Sequence, residues 1–405
     1  VLLVARHDNP IVDVQISFKG AGAAFNPPGK GEVADFTAAI LTDGTRTLDE
    51  EAFNARANDL AADIGSSSSD EGASIRLRSL SRAEVLQPAL KLVNQSLTEP
   101  RFDAEVFRRR QNQSVTALQQ NETDPAFVAD RAATLLDYPD HPYGSSARTS
   151  EQSLRAVTLA DIRAFHRSRY GKNNAIVAVV GDIDRRQTEA LVQTVLAGLP
   201  AKSSRSAAVP PVPERNAQRR DIPFAAEQAQ IVMSMPLIRR DDPDYYALVV
   251  GNYILGSGGF DGRLMKTLRD QYGYTYGAYS NLAPATEAGA FSIAFSTQKA
   301  NTAPALAAAQ KVLADFVAEG PTEAELQQAK SNLVGGFPLR FDTNAKLLQY
   351  LSLIGFYNLP DDYLEAYPKA VAAISSAQIK AAWQRRVQPQ NMNIVVVGAD
   401  APKNP

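Results

Sequence analysis

The 405-residue chain contains no cysteine. That excludes disulfides, a thiol nucleophile and any cysteine-ligated zinc or iron–sulfur centre. The compartment stays open, because cysteine-free proteins occur on both sides of a membrane. Charge of one sign is also lacking. Lys+Arg number 42 against 44 Asp+Glu, a net charge of −2, which gives no electrostatic basis for nucleic acid or an anionic membrane surface. No apolar run approaches the roughly 20 residues a bilayer requires. The chain therefore reads as soluble, with neither nucleic acid nor membrane insertion among its expected partners. It begins at Val1 with no charged-then-apolar leader, which fits a removed signal peptide and a trimmed chain equally well.

What the sequence does contain is a repeat. Gly72-Ala-Ser-Ile-Arg-Leu-Arg-Ser79 lines up with Gly289-Ala-Phe-Ser-Ile-Ala-Phe-Ser296. Ala175-Ile-Val-Ala-Val-Val-Gly181 lines up with Met392-Asn-Ile-Val-Val-Val-Gly398, and Ile162 falls opposite Ile379. All three pairs share an offset of 217 residues, which argues for a duplicated domain. Between the halves, 201–216 is rich in Ser, Ala and Pro and suits an extended linker. The expected domains are 1–200 and 217–405, joined by that linker.

Each half alternates signals. Period-2 alternation predicts half-buried strands at 11–18 and 74–80 and a buried strand at 175–180. Helical periodicity covers 33–41, 51–63, 87–98 and 103–120, the last with Asp103 placed to cap it. Thr158 opens a further helix, with Asp161 three positions on in a capping-box arrangement. Helices mixed with hairpin-type strands predict an α+β fold of two homologous domains, each a mostly antiparallel sheet packed with helices.

The inventory for catalysis is thin. Only three histidines exist: His7, His141 and His166. No pair lies at i,i+4 with a glutamate, so neither order of the zinc-helix motif is present. His141 sits in a turn-rich segment and reads as a residue fixing that turn. His166 lies in an amphipathic helix and reads as a surface or rim residue. There is no Gly-x-Ser-x-Gly elbow. Leu255-Gly-Ser-Gly-Gly-Phe-Asp-Gly262 is glycine-rich but lacks the Lys of a phosphate-binding loop. It reads as a flexible connection before a helix over 263–272, or as a loop that lets another backbone approach closely.

These features together resemble the insulinase/pitrilysin clan of zinc peptidases, in the two-domain branch that includes mitochondrial processing peptidase. The resemblance covers essentially the whole chain. It rests on Phe18-Lys-Gly-Ala-Gly22, on 33–45 ending Asp43-Gly-Thr45, on Asp140-His-Pro-Tyr-Gly144, on Val180-Gly-Asp-Ile-Asp184 and on Arg263-Leu-Met-Lys-Thr-Leu-Arg-Asp-Gln-Tyr-Gly-Tyr-Thr-Tyr276. Active members carry His-x-x-Glu-His on a helix of the first domain and a third ligand, Glu, further along. Here the two His positions fall on Asp35 and Ala39, the Glu position on Ala38, and the third ligand near Thr116 or Ala117. Catalytic zinc needs three protein ligands, so the resemblance implies no metal and no cofactor on this chain.

The second-domain pattern of the clan is kept. Its Arg and Tyr, seven residues apart, match Arg269 and Tyr276, which the resemblance implies hold the peptide and polarise its carbonyl. Gly273 is expected to end the helix, leaving Arg269 in its last turn and Tyr276 on the following strand. Gly258, Gly259 and Phe260 of the glycine-rich loop are the candidate substrate-binding residues. The implied role is a non-zinc subunit of a heteromeric metalloendopeptidase, inactive alone, that completes the peptide chamber. A homologous partner in a heterodimer would carry the zinc, and peptides would be the substrates. The alternative is a catalytically silent peptide-binding or scaffolding subunit. The resemblance suggests the periplasm, with the cytoplasm as the alternative.

Overall fold

The computed structural model describes residues 1–399. The chain divides into two compact units. The first comprises Val1–Leu118, Arg148–Val209 and Leu339–Asp361; the second comprises Gln119–Ala147, Pro210–Pro338 and the chain from Asp362 onward. Each unit therefore takes one segment from the opposite half of the sequence. The fold class is α+β, as the mixed periodicities predict.

The first unit is built on a sheet of strands β1 (Leu2–Ala5), β2 (Ile11–Lys19), β3 (Asp63–Ser68), β4 (Gly72–Leu80) and β5 (Ala175–Gly181). Their order is β1-β5-β2-β4-β3, and only β1 and β5 run parallel. Along β2 the apolar residues Val12, Val14, Ile16 and Phe18 point to one face and are buried. The helices Val33–Ile40 and Ala83–Thr98 pack on β3 and β4. The helix Asn344–Tyr357, from the far half of the sequence, lies over β5, β2 and β1. It comes close because Gly355 has no side chain: a Cβ there would meet Leu2 and Ile176 at under 3 Å. That cover corrects the expectation of a half-buried strand, since Asp13 and Ser17 on the polar face of β2 are buried too.

The second unit repeats the plan with β6 (Arg219–Ile222), β7 (Gln228–Ile238), β8 (Ala278–Leu282), β9 (Gly289–Gln298) and β10 (Asn393–Val397). The order is β6-β10-β7-β9-β8, again with one parallel pair, β6 and β10. The sheet is covered by the helix Pro125–Asp137, which contributes Ala129, Ala132 and Ala133 against Val232, Val395 and Val397. Asp124 caps that helix by accepting from the Ala126 N–H.

Strand pairing corrects one detail of the repeat. Gln15 lies opposite Arg76 and Ala178, whereas Val232 lies opposite Ala294 and Val395. Gln15 and Val232 are equivalent at the 217-residue offset, so Arg76 corresponds to Ala294, one residue beyond it. This register keeps Ile75 and Leu77 in line with Ile293 and Phe295, all four buried; a one-residue slip would turn each to the other face.

Other local expectations hold or shift for visible reasons. Asp103 caps the helix Ala104–Asn121 through the Glu105 and Val106 N–H groups. Thr158 and Asp161 form the capping box of the helix Leu159–Arg169. The helix expected to reach residue 63 stops at Asp59, and the chain turns at Ala61, φ 45°, into β3. His166 is not at a rim: it is buried, and its Nε2 donates to the Leu97 carbonyl at 2.9 Å.

Candidate functional site

In the second unit the helix Tyr245–Asn252 widens into a π-helical turn at Tyr253–Ser257, closed by the Gly258 N–H on the Tyr253 carbonyl at 2.9 Å. Gly259 has φ 71° and starts a short 3-10 turn ending at Asp261. The segment after it, expected as an ordinary helix over 263–272, is wound mainly as π-helix from Met265 to Gln271. Its closing bonds are long in sequence: the Tyr272 N–H donates to Thr267 and the Tyr274 N–H to Leu268. Such wide turns occur often at functional sites. Leu255, Leu264, Met265 and Leu268 are buried and fasten the segment underneath.

Gly273 ends the helix as expected. Its φ of 63° is a left-handed cap that L side chains adopt at a cost, and its N–H bonds back to the Arg269 carbonyl. Arg269 thus sits in the last turn, where its charge also complements the helix dipole. Tyr276 is not on a strand, because β8 begins at Ala278. The buried Thr275 explains the displacement. Its hydroxyl donates to the Gly277 carbonyl and accepts from the Gly277 N–H, so the chain bends there and Tyr276 is pushed outward, 86% exposed.

The structure brings together Arg269 and Phe260. The guanidinium carbon lies 4.8 Å from the ring centroid, so the candidate cation is stacked on the candidate substrate loop. Arg269 has no ion pair among the described residues. Arg263 behaves differently, with both sides of its fork held by Glu325 at 2.7 Å. Burial pushes the Glu325 carboxyl up, but Arg263 and Thr322 outweigh it and hold it down to about 2. Arg263 is therefore a structural anchor and Arg269 an uncommitted charge. Among the described residues, four of the six exposed large hydrophobic side chains lie between 260 and 279: Phe260, Tyr272, Tyr276 and Tyr279.

At the zinc positions of the first unit the residues do not fit a metal. Asp35 is in the first turn of the helix Val33–Ile40, half-buried; Ala38 is buried, and Thr116 and Ala117 are exposed on another helix. Burial raises the Asp35 carboxyl, with a hydrogen bond to Ser68 opposing it. Glu32 is raised for the same reason, Ser114 opposing and Asp35 adding repulsion. Among the described residues neither carboxyl has an ion pair. Among the described residues no group of three or more His, Cys, Asp and Glu side chains is placed to hold a metal ion. His141 closes its turn by accepting from the Tyr143 N–H at 3.2 Å while its Nε2 donates to the Pro210 carbonyl.

Comparison with known proteins agrees with this geometry. A family model described as the peptidase M16 inactive domain matches residues 156–333. The chain is similar to a Helicobacter pylori protein named non-peptidase homolog YmxG, 24% identical over 384 residues, 94% of this chain and 87% of that protein. It is similar to an uncharacterized zinc protease of Mycobacterium leprae, 30% identical over 211 residues, half of this chain and 46% of that protein. The crystal structure of a peptidase M16 inactive domain from Pseudomonas fluorescens superposes with a TM-score of 0.94 at 33% identity, covering 100% of this chain and 96% of that one. The periplasmic protease PqqL from Escherichia coli shares the fold at TM-score 0.80 and 18% identity, and 43% of its chain is covered.

Proposed function

The chain belongs to the peptidase M16 family, and from that premise we propose that it is the non-zinc subunit of a heteromeric zinc metallopeptidase. In this reading a homologous partner carries the zinc and its ligands, and the two form a heterodimer. This chain closes the peptide chamber and supplies Arg269 and Tyr276, with Gly258, Gly259 and Phe260 contacting substrate. The observation that carries the reading is the uncommitted charge of Arg269, stacked on an exposed Phe260 and held by no carboxylate among the described residues. A guanidinium in that state is available to a peptide carbonyl or to the negative charge that develops on it. The donor set at Asp35, Ala38, Ala39, Thr116 and Ala117 supports the assignment of zinc to the partner. The compartment that goes with this reading is the periplasm, on the strength of the family resemblance; among the described residues no helix is long and apolar enough to cross a membrane.

The test is purification from the native source, with and without the co-purifying homologue. The chain alone is expected to bind no stoichiometric zinc, to cleave no peptide and to keep its melting temperature under chelation. The assembled pair is expected to cleave peptides and to lose activity to a chelator. Zinc-dependent cleavage by the isolated chain would sink the proposal. An assembled peptidase indifferent to loss of Arg269 and Tyr276 would leave the scaffolding role instead.

A further inference from the structure

The first unit carries a polar groove on the sheet face opposite the helix Val33–Ile40, away from the former zinc positions. It forms because the helix Asn344–Tyr357 covers β5, β2 and β1 but leaves the neighbouring face of β4 and β3 open. Two adjoining hollows of about 340 and 270 Å³ make up the groove, and both are lined by Gln15, Ser67, Arg76 and Gln349. Their combined size is in the range of small-ligand sites, about 300–1,000 Å³.

The charges in it are unevenly spent. Asp13 receives both arms of Arg78, at 2.8 and 3.3 Å, so that pair is satisfied. Arg76 and Asp63 both line the larger hollow and both are exposed, and neither has an ion pair or side-chain hydrogen bond among the described residues. Gly65 lies opposite Arg76 and Asp63 opposite Arg78. Asp63 acts electrostatically on Arg78, whose fork is already taken by Asp13, without an ion pair of its own. The unpaired Arg76 and the Asp63 carboxylate are one diagonal apart, about 7–8 Å between their backbone positions. Neutral hydrogen-bonding groups surround them. The Gln15 side-chain oxygen and the Ser352 hydroxyl are buried with no partner among the described residues, which is costly unless something else bonds to them.

The sister unit serves as an internal control. The residues equivalent to Gln15 and Arg76 are Val232 and Ala294, packed with Ala129, Ala132 and Ala133 of the covering helix. The fold therefore does not require polar residues at these two positions.

We propose that this groove binds short free peptides of two or three residues, with the carboxylate on Arg76 and the ammonium at Asp63. A zwitterion matches the unpaired Arg76 guanidinium and the exposed Asp63 carboxylate, and a fully extended di- or tripeptide spans about 7–10 Å. Its amides bond to Gln15, Gln349 and the serine hydroxyls, and the shallow polar lining accepts many side chains. A guanidinium fork takes a carboxylate in two bonds, which fixes that end first.

Amide chemical-shift titration of the full chain with Ala-Ser-Ala tests this without any partner subunit, so it is independent of the peptidase proposal. Saturable shifts in β3, β4 and 344–357 are expected, with a dissociation constant on the order of 1 mM. The acetylated and amidated tripeptides, each lacking one terminal charge, are expected to bind at least ten-fold more weakly. Arg76→Gln and Asp63→Asn are expected to do the same. Both groove residues are exposed, so an unaltered melting temperature in each variant certifies folding. Equal binding of capped and free peptide, equal binding by the Arg76→Gln variant, or no saturable binding overturns the proposal.

Discussion

The Arg269 guanidinium rests on the Phe260 ring at 4.8 Å, linking the end of a π-wound helix to the tip of the glycine-rich loop. Both partners are outside the core, so their substitution touches recognition and not folding. Arg269→Ala is expected to lower kcat of the assembled peptidase about 100-fold, the usual effect of removing one donor to a developing oxyanion. Phe260→Ala removes a cation–π contact of about 0.5–1 kcal/mol and is expected to raise KM a few-fold with kcat nearly intact. Steady-state kinetics on the reconstituted pair separates the two. Equal losses in both variants would mean that the loop and the arginine act only as a structural unit.

Tyr276 is 86% exposed and makes no side-chain hydrogen bond among the described residues. Its hydroxyl contributes nothing to folding, so Tyr276→Phe is expected to leave thermal unfolding within about 0.5 kcal/mol of wild type. If the hydroxyl donates to the substrate in the complex, the same change lowers kcat about 10- to 100-fold. Kinetics and calorimetry on one preparation decide it. A fall in melting temperature would point to a packing role that this exposure contradicts.

The sequence was most informative where the local pattern carries the energy. The capping box at Thr158, the Asp103 cap and the alternation along β2 are short-range signals, and each is present. β3 was missed because half of Asp63–Ser68 is serine, with Ile64 its one large apolar residue, and serine has little strand preference of its own. That strand exists through its pairing to β4. The same holds for the crossing of Asn344–Tyr357 and Pro125–Asp137 into units built mainly from the other half, since no local pattern records where a helix will dock. Arg269 and Tyr276 were proposed through the resemblance, but Tyr276 was misplaced onto a strand because the Thr275 bend is a side-chain event. Arg76 and Asp63 gave no signal at all. Their meaning depends on strand register and on what the covering helix leaves bare.

His166 provides a titration that separates core from surface. Burial lowers its pKa from the usual 6.5 to about 4, with the Leu97 carbonyl opposing and Arg167 adding repulsion. A depressed histidine means that the unfolded chain takes up the proton first. Stability is therefore lost as pH falls from about 6.5 toward 4, by up to about 3 kcal/mol. Ring-carbon NMR signals of His166 are expected to stay in the neutral form at pH 5.5. A midpoint near 6.5 for His166 would show that its ring is solvated in the folded state, against its burial here.

Asp137 has the opposite sign and a different pH window. It ends the helix that covers the second sheet, is 4% exposed, and accepts from the Asn393 amide at 2.8 Å. Burial raises its pKa to about 6, with Asn393 and the neighbouring Ser234 hydroxyl opposing. The carbonyl end of the helix dipole disfavours the anion as well. The folded state thus holds the proton more tightly than the unfolded one. Its contribution is complete below about pH 4 and is lost as pH rises through 6, about 3 kcal/mol in total. Asn is neutral at every pH, so Asp137→Asn is expected to match wild type at pH 4 and to be more stable at pH 7, by as much as that amount. Urea unfolding from pH 4 to 8 measures the difference directly. Parallel curves for the two proteins would mean that Asp137 is solvated in the folded state, which its burial rules against.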